Sequence, residues 1–144
     1  MGLFGPPKKF RDRDFSMPCS RSEALDVIVA SSDWEGNQPF GSAYESYSEA
    51  QNNGLPVGTP PLVQSIYFAE FGEDGFVIAA GNRTNTLWKL QLSLVGDNPV
   101  QGSLKTLERN SDQWMGNVSR MLSSLERAVR SVGGKTGRWP DIFG

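Results

Sequence analysis

The clearest pattern in the chain is a strict alternation of apolar and polar residues over positions 88–94. Lysine, glutamine and serine occupy the odd positions, and the even positions are apolar: Trp88, Leu90, Leu92 and Leu94. A period of two predicts a β-strand that buries one face and leaves the other in water. Two β-rich runs precede it, at 62–71 and 76–80, and are joined by Gly72-Glu73-Asp74-Gly75. This arrangement predicts a β-hairpin, which the strand at 88–94 extends into an antiparallel meander.

The first run of the hairpin alternates in the same way. Tyr67 and Phe71 are expected to share one face, with Phe68 on the opposite face. Two further strands are predicted: a short one over Phe15-Ser16-Met17, which Pro18 ends, and one over residues 103–108 at an edge of the sheet. The sheet is therefore expected to have four to five antiparallel strands.

A long amphipathic helix is predicted over residues 112–132, near the end of the chain. We expect Asn110 or Ser111 to cap its N-terminus and Gly133 to end it in the left-handed conformation. Its apolar residues recur at i, i+3, i+4 and i+7 and form one stripe, which contains Trp114, Val118, Met121, Leu122, Leu125, Val129 and Val132. This stripe complements the apolar face of the meander, so we expect the helix to pack across the sheet.

An earlier helix is predicted to begin at Ser20, because Ser20 and Glu23 have the spacing of a capping box. Residues 36–61 allow two interpretations: two helical turns over 42–50, or a loop of about 25 residues. The predicted fold is thus α+β, with one N-terminal helix or two. We expect a single domain over residues 15–134, preceded by an arm at 1–14 and followed by a tail at 135–144.

Composition then limits the chemistry. The chain of 144 residues contains no histidine and one cysteine, Cys19. This excludes Ser–His–Asp and Cys–His catalysis, an internal disulfide and histidine-containing or multi-cysteine metal sites. We therefore predict no metal, no cofactor and no common enzymatic mechanism. No apolar run approaches the ~18 residues of a membrane span, and the start lacks the order of a signal peptide. A cytoplasmic location is expected.

The two ends of the chain combine cations with aromatic side chains, although the net charge is −2. These aromatic residues are Phe4, Phe10, Trp139 and Phe143. We expect them either to contact a protein partner or a second copy of the chain, or to pack back on their own domain. Nucleic acid is disfavoured, since the pI is about 5.1 and the predicted sheet carries no basic stripe.

The order of strand, capped helix, uncertain helix, antiparallel meander and long terminal helix resembles the helix-grip fold of the START/polyketide-cyclase-like superfamily. The residues that carry the resemblance are 15–24, the meander at 62–96 and the helix at 114–132. The resemblance implies an apolar ligand pocket between sheet and terminal helix, walled by Trp88, Leu90, Met121 and Leu125. Without a pocket, these four residues would be ordinary core.

Three functional hypotheses follow. The first is a non-catalytic binding or interaction domain, which the missing histidine and the aromatic, basic ends favour. The alternative is a small apolar-ligand-binding domain of helix-grip type, with Tyr44 and Tyr47 at the pocket rim. The third is an enzyme in which Glu45 or Glu49 works beside one of these tyrosines, which requires a carboxyl group with a pKa raised by burial.

Overall fold

A computed structural model describes residues 12–54 and 58–136 of the chain. This part of the chain forms an α+β domain, as predicted, with five strands and three helices. In chain order they are β1 (Arg13–Met17), α1 (Arg21–Ala30), α2 (Pro39–Asn52), β2 (Ser65–Gly72), β3 (Gly75–Gly81), β4 (Thr86–Val95), β5 (Val100–Arg109) and α3 (Met115–Ser131). None of these helices is long and apolar enough to cross a membrane.

The strands form one antiparallel sheet in the order β1-β5-β4-β3-β2. Strand β5 therefore lies inside the sheet, and the prediction that residues 103–108 form an edge strand was wrong. The reason is that β1 pairs along the outer side of β5, with Phe15 opposite Gly102. On the other side of β1, Ser16 exchanges two backbone hydrogen bonds of 2.9 Å with Lys135. Pairing thus begins at Arg13, inside the predicted arm, and includes Lys135 from the predicted tail.

The core lies between the sheet and the helices. The alternation at 88–94 is confirmed: all four apolar side chains of β4 on this face are buried. The stripe of α3 is buried in the same core through Val118, Met121, Leu125 and Val129. Packing of the apolar helix stripe on the apolar sheet face is the arrangement that an amphipathic helix and a one-sided sheet both require.

The alternation predicted for β2 fails at its centre. The pairing register shifts between Phe68 and Glu70, which marks a β-bulge at Ala69. A bulge adds one residue to one strand and changes which face the following side chains take. The ring of Phe71 consequently lies 5.1 Å from that of Phe68, on the same face, whereas the prediction had paired Phe71 with Tyr67.

The N-terminal helices are both present. The Glu23 N–H donates to the Ser20 hydroxyl at 3.2 Å, so the predicted cap of α1 is confirmed. Helix α2 has 14 residues rather than two turns. It begins at Pro39, whose missing backbone N–H would have had no partner in the first turn of a helix. Its buried residues Phe40 and Ala43 hold it to the core.

The ends of α3 differ in how well they were predicted. Gly133 ends the helix with φ of +79°, as expected. The start lies at Met115 instead of 112, and neither Asn110 nor Ser111 caps it. Trp114 takes the cap position in the left-handed conformation, with φ of +63°, while the Ser111 hydroxyl accepts from the Gln113 N–H at 3.1 Å. The polar side chain that could cap the helix is thus used in the turn before it.

Candidate functional site

The four residues predicted to wall an apolar pocket are all core residues. Trp88, Leu90, Met121 and Leu125 are each at most 2% exposed. A cavity lined by Leu90 and Val118 has a volume of about 10 Å³. That is close to the space for one water molecule, whereas ligand pockets measure roughly 300–1,000 Å³. In the described part of the chain, the space between β4 and α3 is therefore filled by protein side chains.

Tyr44 and Tyr47 lie on α2 and pack against the hairpin of β2 and β3. Their ring centroids lie 5.4 and 4.9 Å from that of Phe71. Glu45 and Glu49 are both exposed on the same helix. An acid–base pair needs a buried carboxyl group beside a tyrosine hydroxyl, so this cluster fits aromatic packing better than catalysis.

The aromatic residues predicted to contact a partner lie outside the described residues. They are Phe4, Phe10, Trp139 and Phe143.

A wide groove runs between α1 and α3 on the surface of the helical layer. The two helices are antiparallel: Ser31, at the end of α1, contacts Ser124 in the middle of α3, while Gly133 lies beside Pro18. The groove has a volume of about 910 Å³ and is open to solvent. Its lining includes Val27, Ala30, Trp34, Ser123, Arg127 and Arg130.

The loop after α1 presents Trp34 at one end of this groove. The indole is 72% exposed, whereas the side chain of the preceding residue, Asp33, is 1% exposed. Asp33 Oδ1 accepts from the N–H groups of Glu35 and Asn37, at 2.9 and 3.0 Å. The Asp33 N–H in turn donates to the Asn37 carbonyl at 2.8 Å. These three hydrogen bonds close the loop, and Trp34 lies on its outside.

Arg120 ties this loop to α3. Its guanidinium lies 3.6 Å from Asp33 Oδ2 and 2.7 Å from Glu35 Oε2. The Glu35 contact is a charge-assisted hydrogen bond, whereas Asp33 Oδ2 receives no hydrogen bond within the described part of the chain and faces the guanidinium as an ion pair. The backbone at Trp34 is therefore positioned by the buried Asp33 carboxylate and by Arg120 of α3.

The charged residues that line the groove all lie on its α3 wall. The α1 wall is lined by uncharged residues, Val27, Ala30 and Ser31. On α3, Arg130 pairs with Glu126, and Arg127 is exposed and forms no ion pair within the described part of the chain. The groove thus combines an uncharged α1 wall, charges of both signs on α3 and an aromatic residue at one end.

The titratable groups with shifted pKa values lie elsewhere. Burial raises the pKa of the Cys19 thiol, and the Glu23 carboxylate raises it further. Burial also raises the pKa of Tyr67, which lies on the other face of the sheet near Lys89 and Glu108. Within residues 12–54 and 58–136, no group of three or more cysteines or carboxylates is placed to hold a metal ion.

Sequence reasoning did not single out Trp34. The available signal was a lone tryptophan inside a polar turn, Ser31-Ser32-Asp33-Trp34-Glu35-Gly36-Asn37. Aspartate and asparagine around a glycine indicate a tight turn, in which the large apolar residue has no neighbours in sequence to pack on.

Comparisons of the chain with protein-family models, with curated proteins and with solved structures find no match.

Proposed function

We propose that this chain is a non-catalytic interaction domain, which binds a polypeptide partner in the groove between α1 and α3. The observation that carries the proposal is the exposure of Trp34 on a loop closed by the buried Asp33. Tryptophan is among the residues that contribute most to protein–protein binding. Because the loop backbone at Trp34 is already closed by hydrogen bonds, it loses little freedom on binding, which improves affinity.

The groove supports the same function. Apolar contacts are available from Val27 and Ala30 on one wall, and hydroxyl groups from Ser31 and Ser123 lie beside them. A partner that inserts between the helices would cover Trp34 and meet charges of both signs on the α3 wall. Interfaces combine an apolar centre with a polar rim in this way.

We also propose that the chain is a five-stranded relative of the helix-grip superfamily, in a cytoplasmic setting. The order strand, two helices, antiparallel meander and terminal helix supports the first part. The single, buried cysteine is in keeping with the second. The apolar-ligand function that the resemblance implies lacks room beside Leu90, so the interaction function is preferred.

The test is affinity capture with purified chain from an extract of its own cells. We expect proteins that the unchanged chain retains to be lost with Trp34→Ala and kept with Trp114→Ala. Trp114 is the matched control, because it is also exposed but is not among the residues that line the groove. Circular dichroism would verify that both variants fold. Equal retention by Trp34→Ala and the unchanged chain would contradict the proposal.

A further inference from the structure

We propose that the partner in the groove is an acidic amphipathic helix, which places a carboxylate against Arg127 and apolar side chains against Trp34 and the α1 wall. The inference rests on the proposed function and names the chemistry of the partner in the same groove.

The charges of the groove favour an acidic partner. Among the described residues, three charged side chains line it, and two of them neutralise each other: Arg130 Nη2 lies 2.5 Å from Glu126 Oε1. The charge of Arg127 is left unmatched, since this residue is exposed and forms no ion pair within the described ranges. A partner that covers Arg127 removes its guanidinium from water, which is costly unless the partner supplies an anion. A basic partner would add repulsion to that cost.

The backbone of the walls favours a helix over an extended segment. The residues that line the groove on α1 and α3 lie beyond the first turn of each helix, so their N–H groups donate within the helix. An extended segment would bury carbonyl groups with no backbone donor opposite them, unlike a segment that pairs with a sheet edge. A helix satisfies its own backbone groups and contacts the walls through its side chains.

The position of Trp34 relative to Arg127 sets the spacing on the partner. Ser31 and Ser124 are in contact, with their hydroxyl oxygens 2.5 Å apart, so Trp34 and Ser123 line the same end of the groove. Arg127 follows Ser123 by four residues, which is about 6 Å or one turn along α3. An apolar residue over Trp34 and a carboxylate against Arg127 should therefore be three or four positions apart on one face of the partner helix.

The α1 wall suits the apolar face of such a helix. Val27 and Ala30 lie three residues apart, on one side of α1, and both line the groove. Ala30, Ser31 and Ser123 are small, and small side chains let helices approach closely.

The probe is a display library of helix-biased peptides of about 15 residues, a length at which an isolated helix begins to be stable. One face is randomised among acidic, basic, polar and apolar residues. Selection on the unchanged chain should enrich peptides that carry aspartate or glutamate three or four positions from a large apolar residue. Circular dichroism of the complex should show that the selected peptide gains helix on binding.

Fluorescence anisotropy then measures the affinity of one selected peptide for variants of the chain. Trp34→Ala and Arg127→Glu should each raise the dissociation constant by roughly tenfold or more. Lys105→Glu is the matched control, because Lys105 is an exposed cation on β5 that does not line the groove, and it should leave the dissociation constant unchanged. Selection repeated on Arg127→Glu should enrich lysine or arginine at the position of the acid.

Several outcomes would overturn the inference. One is a set of peptides that depend on Trp34 but are neutral or basic, or bind Arg127→Glu equally well; the proposed function would then stand. Another is a bound peptide that is extended. A third is a library without any Trp34-dependent binder. If the chain instead binds phosphatidylserine vesicles through Trp34 and Arg127, the groove belongs to a membrane surface, and both proposals fail.

Discussion

The ring of Phe15 lies directly against Gly102, its register partner on the neighbouring strand. A methyl group at position 102 would lie 2.1 Å from Cζ of Phe15 and 2.2 Å from Cε2. We predict that Gly102→Ala lowers the free energy of unfolding by ~1–3 kcal/mol, because the ring must move within a packed core. Urea unfolding measures this difference. A free energy of unfolding equal to that of the unchanged chain would show that the Phe15 ring can adopt another position without loss of packing.

Gly116, in the first turn of α3, gives the opposite expectation. A Cβ there would meet no atom within 4 Å. Alanine restricts the unfolded chain more than glycine does and favours the helix. Gly116→Ala should therefore raise the free energy of unfolding by ~0.4–1 kcal/mol. The same urea titration applies, and a destabilised Gly116→Ala protein would contradict the helix start at Met115.

Asp33 and Glu35 both bind Arg120 but differ in burial. Asp33→Ala removes two hydrogen bonds from loop N–H groups and leaves the loop open, so we predict a loss of ~2–4 kcal/mol. Glu35→Ala removes a partly exposed ion pair and should cost at most ~1 kcal/mol. Thermal unfolding compares the two variants. A larger loss for Glu35→Ala would show that Arg120, and not the buried carboxylate, organises the loop.

Tyr67 makes stability depend on alkaline pH. Burial raises the pKa of its phenol, and Glu108 raises it further, while Lys89 acts in the opposite direction. An unfolded tyrosine ionises near pH 10. Above that pH the unfolded chain loses the proton while the folded chain keeps it, so stability falls as pH rises. Tyr67→Phe should reduce this decline between about pH 9 and 11 in chemical unfolding. An unchanged decline would exclude Tyr67 as its source.

The tryptophans of the core and of the groove should differ strongly in how much stability the same change removes. Trp88→Ala empties a large space in the core and should cost ~3–5 kcal/mol. Trp34→Ala removes a side chain that is mostly in water and should change stability by at most ~0.5 kcal/mol. Differential scanning calorimetry at low concentration tests the pair. A large loss for Trp34→Ala would mean that the indole supports the fold rather than binding.

The elements that could be predicted from the sequence are those whose signal is local. Strand β4 alternates from Trp88 to Leu94, and the stripe of α3 repeats over four turns, so each element identifies its own buried face. The cap at Ser20 is likewise contained in four neighbouring residues. These features follow from residues that are close in sequence.

The features that were missed depend on distant residues. The bulge at Ala69 and the inner position of β5 arise from pairing between strands, which no single segment records. Helix α2 has a weak pattern of its own, and packing of Phe40 stabilises it. Trp34 is exposed because hydrogen bonds to Asp33 turn the loop outwards. The amino-acid sequence alone could not reveal these hydrogen bonds or the exposure of Trp34.

The pairing of β1 with β5 also determines when the domain can assemble on the ribosome. Strand β1 is synthesised about 90 residues before β5, and the Lys135 backbone that bonds its other edge follows later still. At roughly 5–20 residues per second, translation leaves β1 without either neighbour for on the order of 5–20 s. The nascent chain thus carries an unpaired strand, with Phe15 and Met17 uncovered, through most of its elongation. Chaperones that bind short apolar segments have that interval in which to act, and native structure is completed after α3 emerges.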